Sequence, residues 1–150
     1  LPGFIDTHVH PIIGGAFAQA LALDTFGDIE TWVAAIDKFA KSNPDDAVIF
    51  GYGFLATTFG PEGPTRQLID AVVADRPVLI MDEGFHGAWA NTAALEALNI
   101  TQDTADPVPG YSYYKRDEHG DATGYLLEGT AGMSLTTRRR LREPLSSSIS

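Results

Sequence analysis

Three stretches of the chain carry the hydrophobic pattern of β-strands. Residues 4–10 alternate apolar and polar side chains and stop at Pro11, as a half-buried strand does. Residues 48–54 and residues 77–81 are continuous apolar runs, which are typical of strands buried on both faces of a sheet. The pattern therefore predicts three short strands, two of them in the interior of the protein.

Between these strands, apolar side chains recur with the 3.6-residue period of amphipathic helices. One helix is predicted to begin after Asp28, which serves as its N-cap, and to end at Asn43. A shorter helix opens at Thr65, and a third is predicted over residues 88–98, with Asn99 as the left-handed residue that ends it. The alternation of strand and helix predicts an α/β fold with right-handed parallel crossovers.

The last third of the chain breaks this alternation. Residues 111–115 and residues 123–127 flank a polar turn, which predicts a β-hairpin at about residues 111–127. A last helix is predicted over residues 130–142, and its arginine-rich end is interpreted as a solvated helix terminus. The hairpin and the helix are therefore expected as additions to the strand and helix units that precede them.

Composition narrows the choice of partner. The 150 residues are 44% hydrophobic, and 20 acidic against 10 basic residues give a formal net charge of −10. This charge repels nucleic-acid backbones and anionic lipid, and no apolar run approaches the roughly 20 residues of a membrane helix. The absence of cysteine excludes disulfides, thiolate zinc ligands and a cysteine nucleophile. We therefore expect a small-molecule partner rather than nucleic acid or membrane.

The strongest chemical signal lies at the end of the first predicted strand. His8 and His10 are two residues apart, so their imidazoles lie on one face of the strand and both can reach one cation. The carboxylate of Asp6 lies on the same face. Ligands of parallel sheets and barrels bind at the carboxyl ends of the strands. The pattern therefore predicts a metal site, although two histidines can also decorate a strand end without binding a metal.

Four polar residues elsewhere allow two interpretations each. His86 follows a predicted strand, where it lines a site or caps the next helix. Asp82 and Glu83 lie at the same strand end, but acidic loop residues usually face solvent. Glu128 closes the hairpin, where it reaches the site or makes a structural hydrogen bond. By contrast, His119 lies at the hairpin tip, and we expect its side chain to be exposed.

Several segments together resemble one known family. They are residues 2–11 (PGFIDTHVHP), 64–66 (PTR), 75–78 (DRPV), 86–95 (HGAWANTAAL) and 116–128 (RDEHGDATGYLLE). In this order they are similar to the amidohydrolase superfamily of metal-dependent hydrolases, and within it to the YtcJ-like branch, which includes N-substituted formamide deformylase. The resemblance covers nearly the whole chain, from residue 2 to about residue 131.

The resemblance implies a partial TIM (β/α)8 barrel of the metal-dependent hydrolase type with a β-hairpin insertion. Such a barrel typically has about 250 residues. We therefore expect residues 1–150 to be the N-terminal portion of one barrel domain, with strands 1 to 3, the hairpin and the following helix. The remaining strands and any β-sandwich domain are expected outside this sequence. Because the sequence begins Leu1-Pro2-Gly3 without methionine, the native N-terminus is also expected upstream.

The resemblance also implies roles for site residues. His8 and His10 are expected to bind a divalent metal, with zinc the first choice, and Asp6 to orient a ligand histidine. His86 and Asn91 match family positions near the mouth of the active site and are expected to bind substrate. Glu128 is added to them as a third candidate substrate-binding residue.

The remaining parts of a family active site are a bridging carboxylated lysine or carboxylate, two later histidines and an aspartate that acts as general base. Lys38, Lys41 and Lys115 do not lie on predicted barrel strands, so no catalytic residue is assigned within this sequence. The bridging ligand and the general base are expected outside it.

The reaction that the resemblance implies is hydrolysis of a C–N bond, in an amide or a formamide, by a metal-activated water. The alternative is a non-catalytic metal-binding or structural α/β fragment, and an isomerase or lyase on the same barrel is a third option. The protein is expected in the cytoplasm, and the sequence does not decide whether it forms a homo-oligomer.

Overall fold

The computed structural model describes residue 17 and residues 19–132. Within these residues the chain forms six strands, four α-helices and one 3₁₀-helix at Ala56–Phe59. The strands and helices, in chain order, are β1 (Leu21–Ala22), α1 (Ile29–Ser42), β2 (Ile49–Phe54), α2 (Arg66–Asp70), β3 (Val78–Asp82), β4 (Gly87–Ala90), α3 (Thr92–Ala97), β5 (Tyr114–Arg116), β6 (Ala122–Leu127) and α4 (Gly129–Gly132).

The strands form one mixed sheet in the order β1-β2-β3-β4-β6-β5. The first three strands run parallel, whereas β4 is antiparallel to β3, β6 to β4 and β5 to β6. Two successive reversals return β6 to the direction of β2 and β3. The last residues of these three strands therefore lie along the same edge of the sheet, which we call the carboxyl edge.

The helices that the sequence predicted locally are confirmed. Asp28 caps α1 by accepting a hydrogen bond from the Thr31 N–H at 2.8 Å, and Asn43 ends the helix with its N–H on the Phe39 carbonyl. Thr65 directly precedes α2. Asn99 has the predicted left-handed conformation, with φ of 54°.

The helix predicted over residues 88–98 is wrong in its first half. Gly87–Ala90 is strand β4, and only Thr92–Ala97 is helical. The alanine-rich sequence favours a helix locally, but Trp89 pairs with Ile80 on one side and with Tyr125 on the other. Because both neighbouring strands supply hydrogen bonds, sheet pairing overrides local propensity. The expectation of parallel crossovers throughout fails at this strand.

The hairpin predicted at about residues 111–127 is confirmed as β5 and β6. It extends the main sheet through the pairing of β6 with β4. The predicted strand over residues 4–10 lies outside the described residues. The helix predicted over residues 130–142 overlaps α4 at its start, and the rest of it lies outside the described residues as well.

The sheet packs differently on its two faces. One face packs against α1 and α2 through a cluster that contains Trp32 and Ile36 of α1 and Phe54, Ile80 and Trp89 of the sheet. On the other face, the sheet residues Leu79, Ala88, Ala90 and Leu126 form a second cluster with Ala94 of α3. Across residues 19–132, no helix is long and apolar enough to cross a membrane.

A polar candidate site at the carboxyl edge

The turn from β3 into β4 places polar side chains at the carboxyl edge. Asp82 ends β3, Gly87 begins β4, and four residues reverse the chain between them. Phe85 has a φ of 59°, which only a small fraction of non-glycine residues adopt. The turn is therefore held in a conformation that costs backbone energy and needs support from its surroundings.

The carboxylate of Asp82 provides part of that support. The residue is only 6% exposed, and its Oδ1 accepts a hydrogen bond from the His86 N–H at 2.9 Å. It also accepts from the Gly87 backbone. Burial raises the pKa of the Asp82 carboxyl above its ordinary value, with the backbone hydrogen bonds of His86 and Gly87 and the charge of His86 acting in the opposite direction.

His86 and Glu128 come together across the edge. His86 Nδ1 lies 3.2 Å from Glu128 Oε2, and the Glu128 N–H donates to the His86 carbonyl at 2.6 Å. The hydrogen bond to the Glu128 carboxylate raises the pKa of His86, and the negative charge of Glu128 adds to this effect. Because Glu128 engages Nδ1, a proton is assigned to that atom, and Nε2 becomes the ring atom that a ligand can use. The structure thus brings two of the three predicted substrate-binding residues together.

Tyr125 completes the wall of this cluster, and the sequence did not single it out for this role. Its pKa is raised above the ordinary value, first by burial and then by the charge of Asp82. A Cβ on Gly87 would lie 2.7 Å from both Asp82 Oδ2 and the Tyr125 ring. The signal in the sequence is Gly87 itself, since a glycine in a strand marks close approach of another group.

The structure places Asn91 away from this cluster, at the opposite end of β4. Its side chain is fully buried, and its Oδ1 accepts from the N–H groups of Val78 and Ala94 at 2.9 Å each. Its Nδ2 donates to the carbonyls of Val73 and Arg76, also at 2.9 Å. Five residue steps along a strand correspond to roughly 17 Å from His86. Backbone groups engage both polar atoms of Asn91, so the predicted substrate contact has no free side-chain atom to make it.

The predicted metal ligands His8 and His10, and Asp6 beside them, lie outside the described residues. Among the residues that are described, no three His, Cys, Asp or Glu side chains are grouped so as to hold a metal ion. The cluster of Asp82, His86 and Glu128 therefore does not fit a metal on its own. His119 has an exposed side chain at the hairpin tip, 3.5 Å from Glu118, as expected.

Known proteins are similar to this chain in sequence and in fold. A family model described as "Amidohydrolase family" matches residues 1–145. The exoenzymes regulatory protein AepA of Pectobacterium carotovorum subsp. carotovorum is 32% identical over 85% of the chain, and the N-substituted formamide deformylase of Arthrobacter pascens is 29% identical over 89%. The chain spans 29% of the first relative and 25% of the second.

A solved structure is similar as well. It is described as an uncharacterized metal-dependent hydrolase from Pyrococcus horikoshii OT3, and it superposes with a TM-score of 0.60 at 28% sequence identity. The match covers 92% of this chain and 24% of that protein. The part of that protein to which this chain is similar is therefore about a quarter of its length.

Proposed function

The chain belongs to the amidohydrolase family, and on this basis we propose that it is the N-terminal part of a metal-dependent hydrolase of C–N bonds. The observation that carries the proposal is the family match over residues 1–145, which includes both histidines of the predicted metal site. The similarity to a metal-dependent hydrolase structure supports it.

The parallel strands support a partial (β/α)8 barrel as the architecture of this part. β1, β2 and β3 are parallel neighbours, and α1 and α2 pack on one face of them. In such barrels helices cover the outside, the other face of the strands lines the interior, and the site lies at the carboxyl ends. His86 and Glu128 lie at this edge, where the barrel architecture would bring them toward the site.

We assign His8 and His10 as the metal ligands and Asp6 as the residue that orients one of them. A bound divalent metal, with zinc the first choice, would lower the pKa of a water molecule and polarise the scissile carbonyl. The bridging ligand and the general base would come from outside this sequence.

His86 and Glu128 would bind substrate. With Nδ1 held by the carboxylate, the imidazole offers Nε2 as a hydrogen-bond acceptor when neutral and as a donor when protonated. A small amide or formamide carries both an N–H and a carbonyl, so it can use either state. The name of the relative from Arthrobacter pascens supports a formamide as the first substrate to try.

The test uses the full-length protein that carries this chain. The His8→Ala/His10→Ala double variant is expected to lose its metal, measured by elemental analysis, together with hydrolysis of a panel of N-substituted formamides and amides. The matched control is His119→Ala, which removes an exposed imidazole and should retain both metal and activity. Unchanged metal content and hydrolysis in the double variant would remove the proposal.

A second candidate is a non-catalytic metal-binding or structural unit. The relative named as a regulatory protein favours it, since that name describes no hydrolysis. The same experiment separates the two functions. A wild-type protein that binds metal through His8 and His10 but hydrolyses no amide or formamide would support the second candidate.

A further inference from the structure

Asp82 is a buried carboxylate at the candidate site. The proposed binding of substrate by His86 and Glu128 gives this buried carboxylate no role. We propose that Asp82 is a positioning residue, which holds the backbone of His86 so that its imidazole stays paired with Glu128. The role of this pair in substrate binding rests on the proposed function, whereas the contacts that hold it do not.

Three contacts converge on His86 and fix it from both sides. The His86 backbone N–H donates to Asp82 Oδ1 at 2.9 Å, and the His86 carbonyl accepts from the Glu128 N–H at 2.6 Å. The third contact joins Nδ1 to the Glu128 carboxylate at 3.2 Å. Because Asp82 ends β3 and Glu128 follows β6, His86 is held between two strands that are not neighbours in the sheet.

Removing Asp82 would release the contact that comes from β3. The turn contains Phe85 at a φ of 59°, so it would relax toward a more populated backbone conformation once a contact is lost. Glu128 also has a positive φ, of 54°, which costs backbone energy as well. The His86 side chain is 74% exposed, so its orientation depends on the contact with Glu128 and on the position of its own backbone.

The chemistry of a carboxylate suits this position better than that of an amide. Asp82 accepts from two consecutive backbone N–H groups, those of His86 and Gly87, and a carboxylate has acceptor oxygens for both. Asparagine would keep one acceptor and would turn an NH₂ group toward the second N–H. Gly87 has no Cβ, which lets the carboxylate approach, and Tyr125 closes the other side. We therefore expect asparagine at position 82 to hold the His86 backbone in part, and alanine not to hold it at all.

Within residues 19–132, the charged groups that act on His86 are Glu128 after β6, Asp82 from β3 and Glu83 in the turn. All three raise its pKa, and the hydrogen bond to Glu128 contributes most. Loss of Asp82 would remove one charge directly and would weaken the Glu128 contact indirectly. The indirect effect distinguishes positioning from simple electrostatics, because it also changes which ring nitrogen carries the proton.

The experiment follows the His86 imidazole by NMR in the full-length protein, with histidine labelled selectively with ¹³C and ¹⁵N. His86→Gln assigns the signal, and His119 serves as the control imidazole because it lies at the hairpin tip. Glu128→Gln gives the titration midpoint of His86 without its partner. Asp82→Ala is expected to move the midpoint at least halfway from the wild-type value to this reference, and to shift the neutral ring away from the Nδ1–H tautomer.

Asp82→Asn tests the positioning role in a variant that keeps the size of the side chain and is therefore more secure in its folding. It should give a midpoint between those of the wild type and Asp82→Ala, and it decides the question where the alanine variant does not fold. An Asp82→Asn protein with the wild-type midpoint and tautomer would overturn the proposal. A Glu128→Gln protein with an unchanged His86 midpoint would overturn it too, since there would be no pair to position.

A kinetic measurement connects the contact to the reaction. With an amide that the wild type hydrolyses, Asp82→Ala should lower kcat/KM about tenfold, which is the effect of losing roughly one hydrogen bond to the substrate. The pH profile should shift in the same direction as the His86 midpoint. If the wild-type protein hydrolyses nothing, the proposed function fails while the NMR result still decides the role of Asp82.

Discussion

A polar residue flanks each end of β4, and the two residues have similar positions in the sequence but different surroundings in the structure. His86 precedes the strand and Asn91 follows it, and both were predicted to bind substrate. His86 is largely exposed and pairs with a carboxylate, whereas Asn91 is fully buried and bonds to four backbone groups. One end of the strand therefore leaves an imidazole accessible to a ligand, whereas the other end uses its polar side-chain atoms within the fold.

The difference lies in what remains available to a ligand. A buried amide with every hydrogen bond made is a structural element, because buried polar groups are expected to be satisfied. An exposed imidazole with a raised pKa beside a carboxylate can still exchange a proton or bind a polar group. A polar residue next to a strand end can serve either role. Its burial decides whether it holds the fold or stays available to a ligand.

The largest expected effect is at the buried end. Asn91→Ala would leave the backbone groups of Val73, Arg76, Val78 and Ala94 without their partner. At roughly 1 kcal/mol or more for each, the free energy of unfolding should fall by about 4 kcal/mol, as measured by chemical denaturation of the full-length protein. The conformation of His86 should change little in the fraction that stays folded.

Asn43→Ala is the matched control for this prediction. Asn43 also sits at a helix end, but its Nδ2 makes a single hydrogen bond, to Phe39, and the residue is only partly buried. Its loss should cost about 1 kcal/mol. Similar losses for the two variants would mean that the four hydrogen bonds of Asn91 do not stabilise the fold as expected, and would leave a role in substrate binding open.

The second expected effect is at the other end of the strand. Gly87→Ala would place a Cβ 2.7 Å from Asp82 Oδ2 and from the Tyr125 ring. The overlap should cost about 2 kcal/mol in the free energy of unfolding and displace the turn that carries His86. Gly84→Ala is the control in the same turn, since its nearest contact would be His86 Cδ2 at 3.3 Å. Equal stability of the two variants would contradict the close packing at Gly87.

The sequence predicted elements whose signals are local and missed those that depend on neighbours. Helix α1 was predicted from end to end because Asp28 and Asn43, its two caps, lie within the segment itself. Strand β4 was missed because its alanine-rich sequence fits a helix, and only its pairing with β3 and β6 makes it a strand. The predicted parallel arrangement is correct for β2 and β3 and wrong where the sheet turns antiparallel at β4, and strand β1 at Leu21–Ala22 was not predicted.

The same distinction applies to the candidate site. His86 was predicted from its position after a strand and from the family resemblance, whereas Glu128 was a candidate from its position at the end of the hairpin. Their contact depends on the register that sets Gly87 opposite Leu127, which no local pattern specifies. Asp82 was interpreted either as part of a site or as an acidic loop residue that faces solvent. The structure buries it to 6% exposure, and that burial depends on the same packing.

The smallest expected effect is the pH dependence of the exposed pair. The pKa of His86 is raised in the folded protein, whereas in the unfolded chain it should lie near the ordinary value of about 6.5. The pair therefore stabilises the fold fully below that value, and its contribution is lost as pH rises through the raised pKa. The difference in unfolding free energy between the wild type and Glu128→Gln should be larger at about pH 6 than at about pH 9. Asn91→Ala should show no such difference in pH dependence from the wild type, because an amide does not titrate. A gap for Glu128→Gln that stays constant across this range would mean that the two ends of β4 differ only in exposure and not in charge.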